Sequence, residues 1–374
     1  MRGLFKKGRN EGTQVTKEQV MEALSHVIEP ELRRDLVSLN MVRDVVVDNG
    51  VVRFTVVLTT PACPLRSRIE QECREAVMAV PGVRQVEVNF TANVVRDTRV
   101  SNLNIRNIVA VASGKGGVGK STVAVNLAIA LAQEGAAVGL LDADIYGPNV
   151  PLMLGVNHLP PPEGGKVVPA EAYGVRVMSI GFLVAPDQPV IWRGPMLHTA
   201  LRQFLGDVQW GELDYLIVDM PPGTGDVQLS LAQHTTLSGG VIVTTPQDVA
   251  LADARKGLAT FQKLNVPVLG IIENMSYFVA PDTGQRYAIF GSGGGRRYAQ
   301  EIGVPFLGEV PIDPRIAEGG DTGTPIVIAA PESEAAQALR HIARQVAARL
   351  SVINVQREPE GLIGVGDIPV VQDR

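Results

Sequence analysis

The spacing of apolar and polar positions changes character near residue 100. Ahead of that point the apolar residues fall in short runs of both periods. Thr16-Lys17-Glu18-Gln19 has the residue types of a capping box. It opens a helix whose apolar face is Val20, Leu24, Val27 and Ile28, with Pro30 as the stop. Val42–Asp48 and Val51–Leu58 are β-branched runs joined by Asn49-Gly50, a dipeptide suited to a two-residue hairpin. Helical spacing returns from Leu65 to Val80, with Ile69, Cys73, Val77 and Val80 on one face. Val86-Glu87-Val88-Asn89-Phe90 then alternates as a half-buried strand. Residues 99–107 are polar and unpatterned, and read as a short linker.

Beyond the linker, apolar runs alternate with helical stretches. Six runs read as strands: Ile108–Ala112, Ala137–Leu141, Tyr215–Val218, Val241–Thr245, Val268–Ile272 and Phe306–Val310. Continuous apolar runs of this length suit strands buried on both faces, so the pattern predicts a mainly parallel sheet with helices on both sides. The last helical stretch, Ser333 to Val352, carries the stripe Ala336, Leu339, Ile342, Ala343, Val346 and Leu350. Arg340, Arg344 and Arg349 lie off that stripe. A basic amphipathic helix suits a membrane surface. This one is alanine-rich and lacks large aromatics, so packing on the sheet is the better reading. The expected organisation is α/β throughout. A small α/β domain over 1–98 is followed by the linker over 99–107, the sheet domain over 108–352 and a loose tail over 353–374.

Bulk properties narrow the classes. The 374 residues leave room for two domains and a sizeable core. Hydrophobic residues make up 45%, and no apolar run reaches membrane-spanning length, which predicts a cytoplasmic globular protein without stable membrane association. A net charge of −5 argues against a protein that coats nucleic acid. Two cysteines exclude a disulfide framework and fit a reducing compartment. Met1 to Gly8 is basic but lacks the apolar segment of a secretory signal, and reads as a frayed end.

The chemistry gathers at Ser113-Gly114-Lys115-Gly116-Gly117-Val118-Gly119-Lys120-Ser121-Thr122. A strand-like run precedes it and a helix-like run follows, the context that makes G-x-x-x-x-G-K-[ST] a phosphate loop. Its glycines let backbone N–H groups crowd a polyphosphate, and the helix N-terminus adds donors and partial positive charge. Lys120 supplies a point charge for the β- and γ-phosphates, and Ser121 a hydroxyl ligand for Mg²⁺. Asp142 and Asp144 follow the next strand, placed for a Mg²⁺ water shell and an attacking water. Asp219 closes the apolar run Tyr215–Val218 as a Walker-B-like acid. Met220 to Asp226 is then the loop able to sense a γ-phosphate. Asn274, after another strand, has an amide that could read adenine, and Val310-Pro311-Ile312-Asp313 could wall the same pocket.

Lys115 makes the loop G-K-G-G-x-G-K-[ST]. In this it resembles the deviant P-loop ATPases, among them the nitrogenase iron protein, MinD, ParA and the Mrp/ApbC family. That resemblance implies ATP as the nucleotide, slow hydrolysis, and a nucleotide-gated homodimer in which Lys115 reaches the partner's nucleotide as a catalytic residue beside Lys120 and Asp144. The run Asp214 to Gln228, with Asn274-Met275-Ser276-Tyr277-Phe278, resembles Mrp proteins more closely than MinD or ParA. Asp35 to Val42 and Thr60-Pro61-Ala62-Cys63-Pro64 resemble the small iron–sulfur-assembly domain that precedes Mrp ATPases. The family implies an iron–sulfur cluster carrier or assembly factor, with scaffold or recipient apoproteins as partners. The alternative is a positioning ATPase of the MinD or ParA kind, acting on membrane or a partner protein.

One departure matters. Mrp relatives carry C-P-x-C after Tyr-Phe, where this chain reads Ala280-Pro281-Asp282-Thr283. No cysteine follows Cys73. Cys73 sits on an apolar helix face and reads as a buried, inert thiol. Cys63 precedes Pro64, which suits the first helical position, so the thiol is expected near an N-cap with a lowered pKa. A lone cysteine favours a structural thiol; the resemblance instead makes Cys63 a candidate ligand for a transient 4Fe-4S cluster. His158, His198 and His234 have no ligand spacing.

Overall fold

The computed structural model describes residues 15–100, 104–145, 147–183, 194–223 and 235–357. The basic N-terminus, the tail beyond 357, residues 224–226 of the loop after Asp219, His234 and the side chain of His198 lie outside them. Among the described residues, 15–93 with 355–357 form one compact unit and 94–354 the other.

In the first unit, α1 (Lys17–Leu24) starts at the capping box: Thr16 Oγ1 accepts Gln19 N–H while the Gln19 side chain accepts Thr16 N–H. The helix ends earlier than the apolar spacing suggested. Ser25 Oγ and His26 Nδ1 both bond the Glu22 carbonyl and close the last turn. Val27 is still buried, but Ile28 is exposed and lies in the short strand β1 (Ile28–Glu29), paired with β2 (Arg34–Asp35). The hairpin β3 (Val42–Asp48) and β4 (Val51–Leu58) turns at Asn49 and Gly50, both with positive φ. The crossover α2 (Arg66–Met78) returns to β5 (Gln85–Ala92), parallel to β4. Ile69, Cys73 and Val77 of α2 are buried with Val20, Leu24 and Phe54.

In the second unit, β6 (Ile105–Ser113) leads into the glycine loop and α3 (Lys120–Gln133). Then follow β7 (Val138–Asp142), α4 (Val150–Met153), the hairpin β8 (Ala170–Ala172) and β9 (Val175–Ser179), α5 (Gly194–Gly206) and β10 (Leu213–Asp219). The rest is β11 (Gly239–Thr244), α6 (Asp248–Lys263), β12 (Val268–Glu273), the hairpin β13 (Phe278–Val279) and β14 (Arg286–Tyr287), α7 (Gly294–Ile302), β15 (Phe306–Glu309), α8 (Pro314–Thr322), α9 (Ile326–Ala329) and α10 (Glu334–Arg357).

Among the described residues, eight strands form one sheet in the order β15-β12-β11-β6-β10-β7-β9-β8, parallel except for β8. All six expected strands are present. The first starts three residues early, so Ile105–Asn107 belong to the sheet and not to a linker. Val100, also assigned to the linker, is buried in the core. Alternate residues of β6 (Ile108, Ala110, Ala112) pack with α5, α6 and α7, while α3 lies against β6, β7 and β10. The predicted stripe of α10 is buried throughout. Two of its three off-stripe arginines bond the end of α3: Arg340 reaches Gln133, and Arg344 reaches Glu134, the C-cap residue, while Arg349 is exposed. No helix among the described residues is long and apolar enough to cross a membrane. The chain leaves β6 in one direction for β7 and β9 and later returns past it to β11 and β12. The carboxyl end of β6 is therefore a switch point, where such sheets bind ligands.

Candidate functional site

The glycine loop sits at that switch point. Gly119 is the N-cap of α3, with φ +81°, and no side chain caps the helix. The first-turn N–H donors are therefore left for a ligand. The loop is braced from outside. Ser113 Oγ donates to the Lys115 carbonyl at 2.9 Å, and Gly223 N–H reaches the Ser113 carbonyl at 3.0 Å. A Cβ on Gly114 would fall 2.1 Å from the Asp253 backbone, so α6 packs directly on the loop. Val118 is buried, whereas Gly116 and Gly117 are exposed.

Lys120 is almost fully buried. Its Nζ lies 2.6 Å from Asp219 Oδ1, 3.6 Å from Asp144 Oδ2 and 3.2 Å from Ser121 Oγ. Four sequence-predicted residues thus meet at one point. Asp142 is the register neighbour of Asp219 in the adjacent strand. Burial, then the Asp219 charge, pushes the Asp142 carboxyl up to about 7. Burial also raises Asp219 above the usual carboxylate range, against the pull of Lys120. Two crowded acids held in this way favour a cation between them. Asp219 Oδ2 is moreover buried without a hydrogen-bond partner among the described residues. The hard oxygens of Ser121, Asp142 and Asp219 therefore fit Mg²⁺. Asp219 Oδ2 is the oxygen left open, whereas both Asp142 oxygens are engaged. Oδ1 accepts Asp144 N–H at 3.1 Å, and Oδ2 accepts Ser179 Oγ–H at 2.8 Å and Val150 N–H at 3.3 Å. Among the described residues no group of three or more His, Cys, Asp or Glu could hold a metal unaided. A Mg²⁺ ion here would complete its shell with phosphate oxygens and water.

Beside the loop opens a cavity of about 520 Å³, lined by Gly119, Thr122, Asn274, Phe290, Ile312 and Asp313 among others. Asn274 meets the loop: its Nδ2 donates to the Val118 carbonyl at 2.9 Å. Residues 311–313 do wall the same space. Lys115 is half-buried, and among the described residues its ammonium has no ion pair or hydrogen bond. Ser179 and Phe290 escaped the sequence reading. Val175 and Val177 are residues that suit a strand, but nothing local marks Ser179 as a partner of Asp142, and Phe290 has no signal at all.

Cys63 departs from expectation. The helix begins at Arg66 with Leu65 as N-cap, which leaves Cys63 two residues short of the cap. Burial pushes the thiol up from an ordinary 9.0 to about 11. The Leu65 and Arg66 amides oppose the shift, while Glu31 and Glu29 add to it. The helix N-terminus acts with the expected sign, but desolvation outweighs it. Iodoacetamide at pH 7.5 should therefore modify Cys63 about a hundredfold more slowly than an ordinary thiol, by thiolate fraction. The rate should rise tenfold per pH unit up to pH 9.5, and a plateau below pH 9 would refute the raised value. Cys73 is fully buried and pushed up to about 12, the inert thiol expected. Ala280 and Thr283 lie in the turn of the β13–β14 hairpin, closed by Ala280 N–H to the Gln285 carbonyl at 2.9 Å.

The model of the family described as NUBPL iron-transfer P-loop NTPase matches residues 104–347, and that of an iron-sulfur cluster assembly protein matches residues 17–90. An iron-sulfur cluster carrier protein of Synechocystis is 56% identical over 348 residues, covering 90% of this chain and 99% of that one. The solved structure of a nucleotide-binding protein from Archaeoglobus fulgidus in complex with ADP is 39% identical, with a TM-score of 0.54, and covers 61% of this chain and 92% of that one. The cell division ATPase MinD of Pyrococcus furiosus, 24% identical with a TM-score of 0.50 over 64% of this chain and 98% of its own, shares the fold.

Proposed function

This chain belongs to the NUBPL iron-transfer P-loop NTPase family, and from that premise we propose that it is an ATP-dependent carrier of iron–sulfur clusters. It binds Mg²⁺ and ATP, hydrolyses ATP slowly, and delivers clusters to recipient apoproteins in the cytoplasm as a nucleotide-gated homodimer. The observation that carries the nucleotide half of this reading is the convergence of Lys120 on Asp219 and Asp144 beside the cavity at Asn274. In this reading the loop amides and Lys120 hold the phosphates, and Lys115 reaches the partner copy's nucleotide. Asp144 orients the attacking water, and Ser121 and Asp219, with the charge of Asp142, would hold a Mg²⁺ ion, which would supply positive charge against the phosphates.

The cargo half rests on family membership and on cysteine chemistry. With no cysteine after Cys73, the second unit has no thiolate for a cluster. Cys63 offers one ligand per chain and two per dimer, so a four-thiolate cluster needs ligands from a partner. Its raised pKa means that iron must displace the thiol proton. Anaerobic reconstitution with iron and sulfide, followed by transfer to a recipient apoprotein with and without ATP, tests the proposal. The wild-type chain should bind iron and sulfide in equal numbers and transfer them. Cys63→Ala should lose most of both while keeping ATP binding. No transfer by the wild type would sink the carrier reading, and unimpaired transfer by Cys63→Ala would remove this thiol from it.

A further inference from the structure

One buried carboxylate stands beside the site with no part in the phosphate chemistry. Glu273 ends β12 and has no exposed surface. Three donors converge on it. Oε1 accepts Ser276 Oγ–H at 2.5 Å and Gly293 N–H at 3.0 Å, and Oε2 accepts Gly295 N–H. Two of these donors are peptide groups at the start of α7, where a carboxylate is favoured by the helix dipole as well as by the bonds.

What the carboxylate ties together is the wall of the cavity. The next residue, Asn274, holds the Val118 carbonyl with its amide. Met275 follows with φ +55°, a backbone region that a methionine keeps only where its neighbours impose it. Ser276 closes the turn, its N–H on the Val310 carbonyl at 3.0 Å and its hydroxyl on Glu273. On the other side, Gly293 lies three residues after Phe290, which lines the same cavity as Asn274. One side chain therefore fixes both the turn that carries Asn274 and the loop that carries Phe290.

We propose that Glu273 is a positioning residue for base recognition, holding Asn274 and Phe290 in register with each other beside the phosphate loop. This deepens the nucleotide reading above and rests on it. The loop amides, Lys120 and Ser121 make no bond to Glu273, so its loss should be felt by the base and not by the phosphates. In Glu273→Gln an NH₂ group replaces one acceptor and must face a donor, since all three neighbours donate. The turn then relaxes while side-chain volume is kept.

The test compares two ligands on the full chain with Mg²⁺: ATP, and inorganic tripolyphosphate, which has the phosphates without a base. In Glu273→Gln, ATP affinity should fall about tenfold, the effect of one mispaired buried group, while tripolyphosphate affinity changes less than about twofold. Ser276→Ala keeps the carboxylate and its two peptide donors, and should show the same selective loss at smaller size. Equal losses for both ligands in the two variants would mean a merely structural role and would overturn the proposal, as would unchanged ATP binding. A wild type that binds ATP no tighter than tripolyphosphate would instead refute the base pocket itself, a failure visible before any variant is made.

Discussion

Lys120→Ala should abolish ATP hydrolysis, lowering turnover by about a hundredfold or more, the size of effect seen when one preorganised charge is removed from a reacting centre. Lys120 is the cation that the described residues place on Asp219 and Asp144. A phosphate-release assay at saturating Mg²⁺ and ATP measures the loss, and retained turnover would refute the site assignment. The same substitution should also change stability in a pH-dependent way. Lys120 is the cation that faces Asp219 and Asp144 in the core of the site, and breaking such a buried pair costs on the order of 3–5 kcal/mol. The acids can escape part of that cost by taking up protons. Asp142 already has its folded pKa raised to about 7, so its penalty is absent below about pH 4, grows between about pH 4 and 7, and levels off above 7. Without Lys120, Asp142 and Asp219 should both shift further in that direction. The gap in melting temperature between wild type and Lys120→Ala should therefore widen from pH 5 to pH 8. A gap that narrowed over that range would mean that the lysine does not offset these charges.

The core sheet was legible because burial on both faces writes a strand as an unbroken apolar run. Where polar residues are buried inside a strand, that signal fails. The start of β6 was read as linker because Arg106 and Asn107 interrupt it. Yet Asn107 is buried, its amide shared between the Val95 and Asp214 carbonyls and its Oδ1 taken by Asn354. The hairpin of β8 and β9 was missed for another reason. It turns at Tyr173-Gly174, both with positive φ, and tyrosine gives no local hint of that conformation. The hairpin at Asn49-Gly50 uses the same geometry with the residues that favour it, and was read to the residue.

The site divides along the same line. That Lys120, at the start of α3, would meet Asp144 and Asp219, at or just past strand ends, was legible because motif and sheet topology point to the same place. The opposite outcome at Cys63 shows what a motif leaves out. Position relative to a helix sets the sign of the dipole effect, but burial sets the size of the desolvation that opposes it, and burial depends on chain far away in sequence. Ser179 is invisible for a related reason. Besides accepting Gly181 N–H, its hydroxyl bonds Asp142 across two neighbouring strands, and nothing near it in sequence reports which strand lies alongside.

The glycines of the loop separate what the fold needs from what a ligand needs. At Gly119 the ligand-free chain already demands glycine. Its φ is +81°, and a Cβ would lie 2.1 Å from Asn274 Nδ2. Gly119→Ala would force a left-handed alanine, costing about 1–3 kcal/mol. It would also push Asn274 off the Val118 carbonyl, costing about 1 kcal/mol more. For a unit of this size that sum should lower the melting temperature by roughly 5–15 °C without any ligand, and ATP binding should be lost with it. Gly116 presents the contrary case. Its φ is not positive and nothing lies within 4 Å of a Cβ built there. The ligand-free chain gives no reason for glycine at this exposed position, so the reason must lie in something that approaches the backbone. Gly116→Ala should leave the ligand-free melting temperature within about 2 °C, by the same size scaling. It should still weaken ATP binding by about tenfold or more, because the methyl group occupies space that a phosphate would enter. Calorimetric titration with ATP, alongside thermal melts of both variants, separates the two cases. Normal ATP binding by Gly116→Ala would mean that no polyphosphate comes close to this part of the loop.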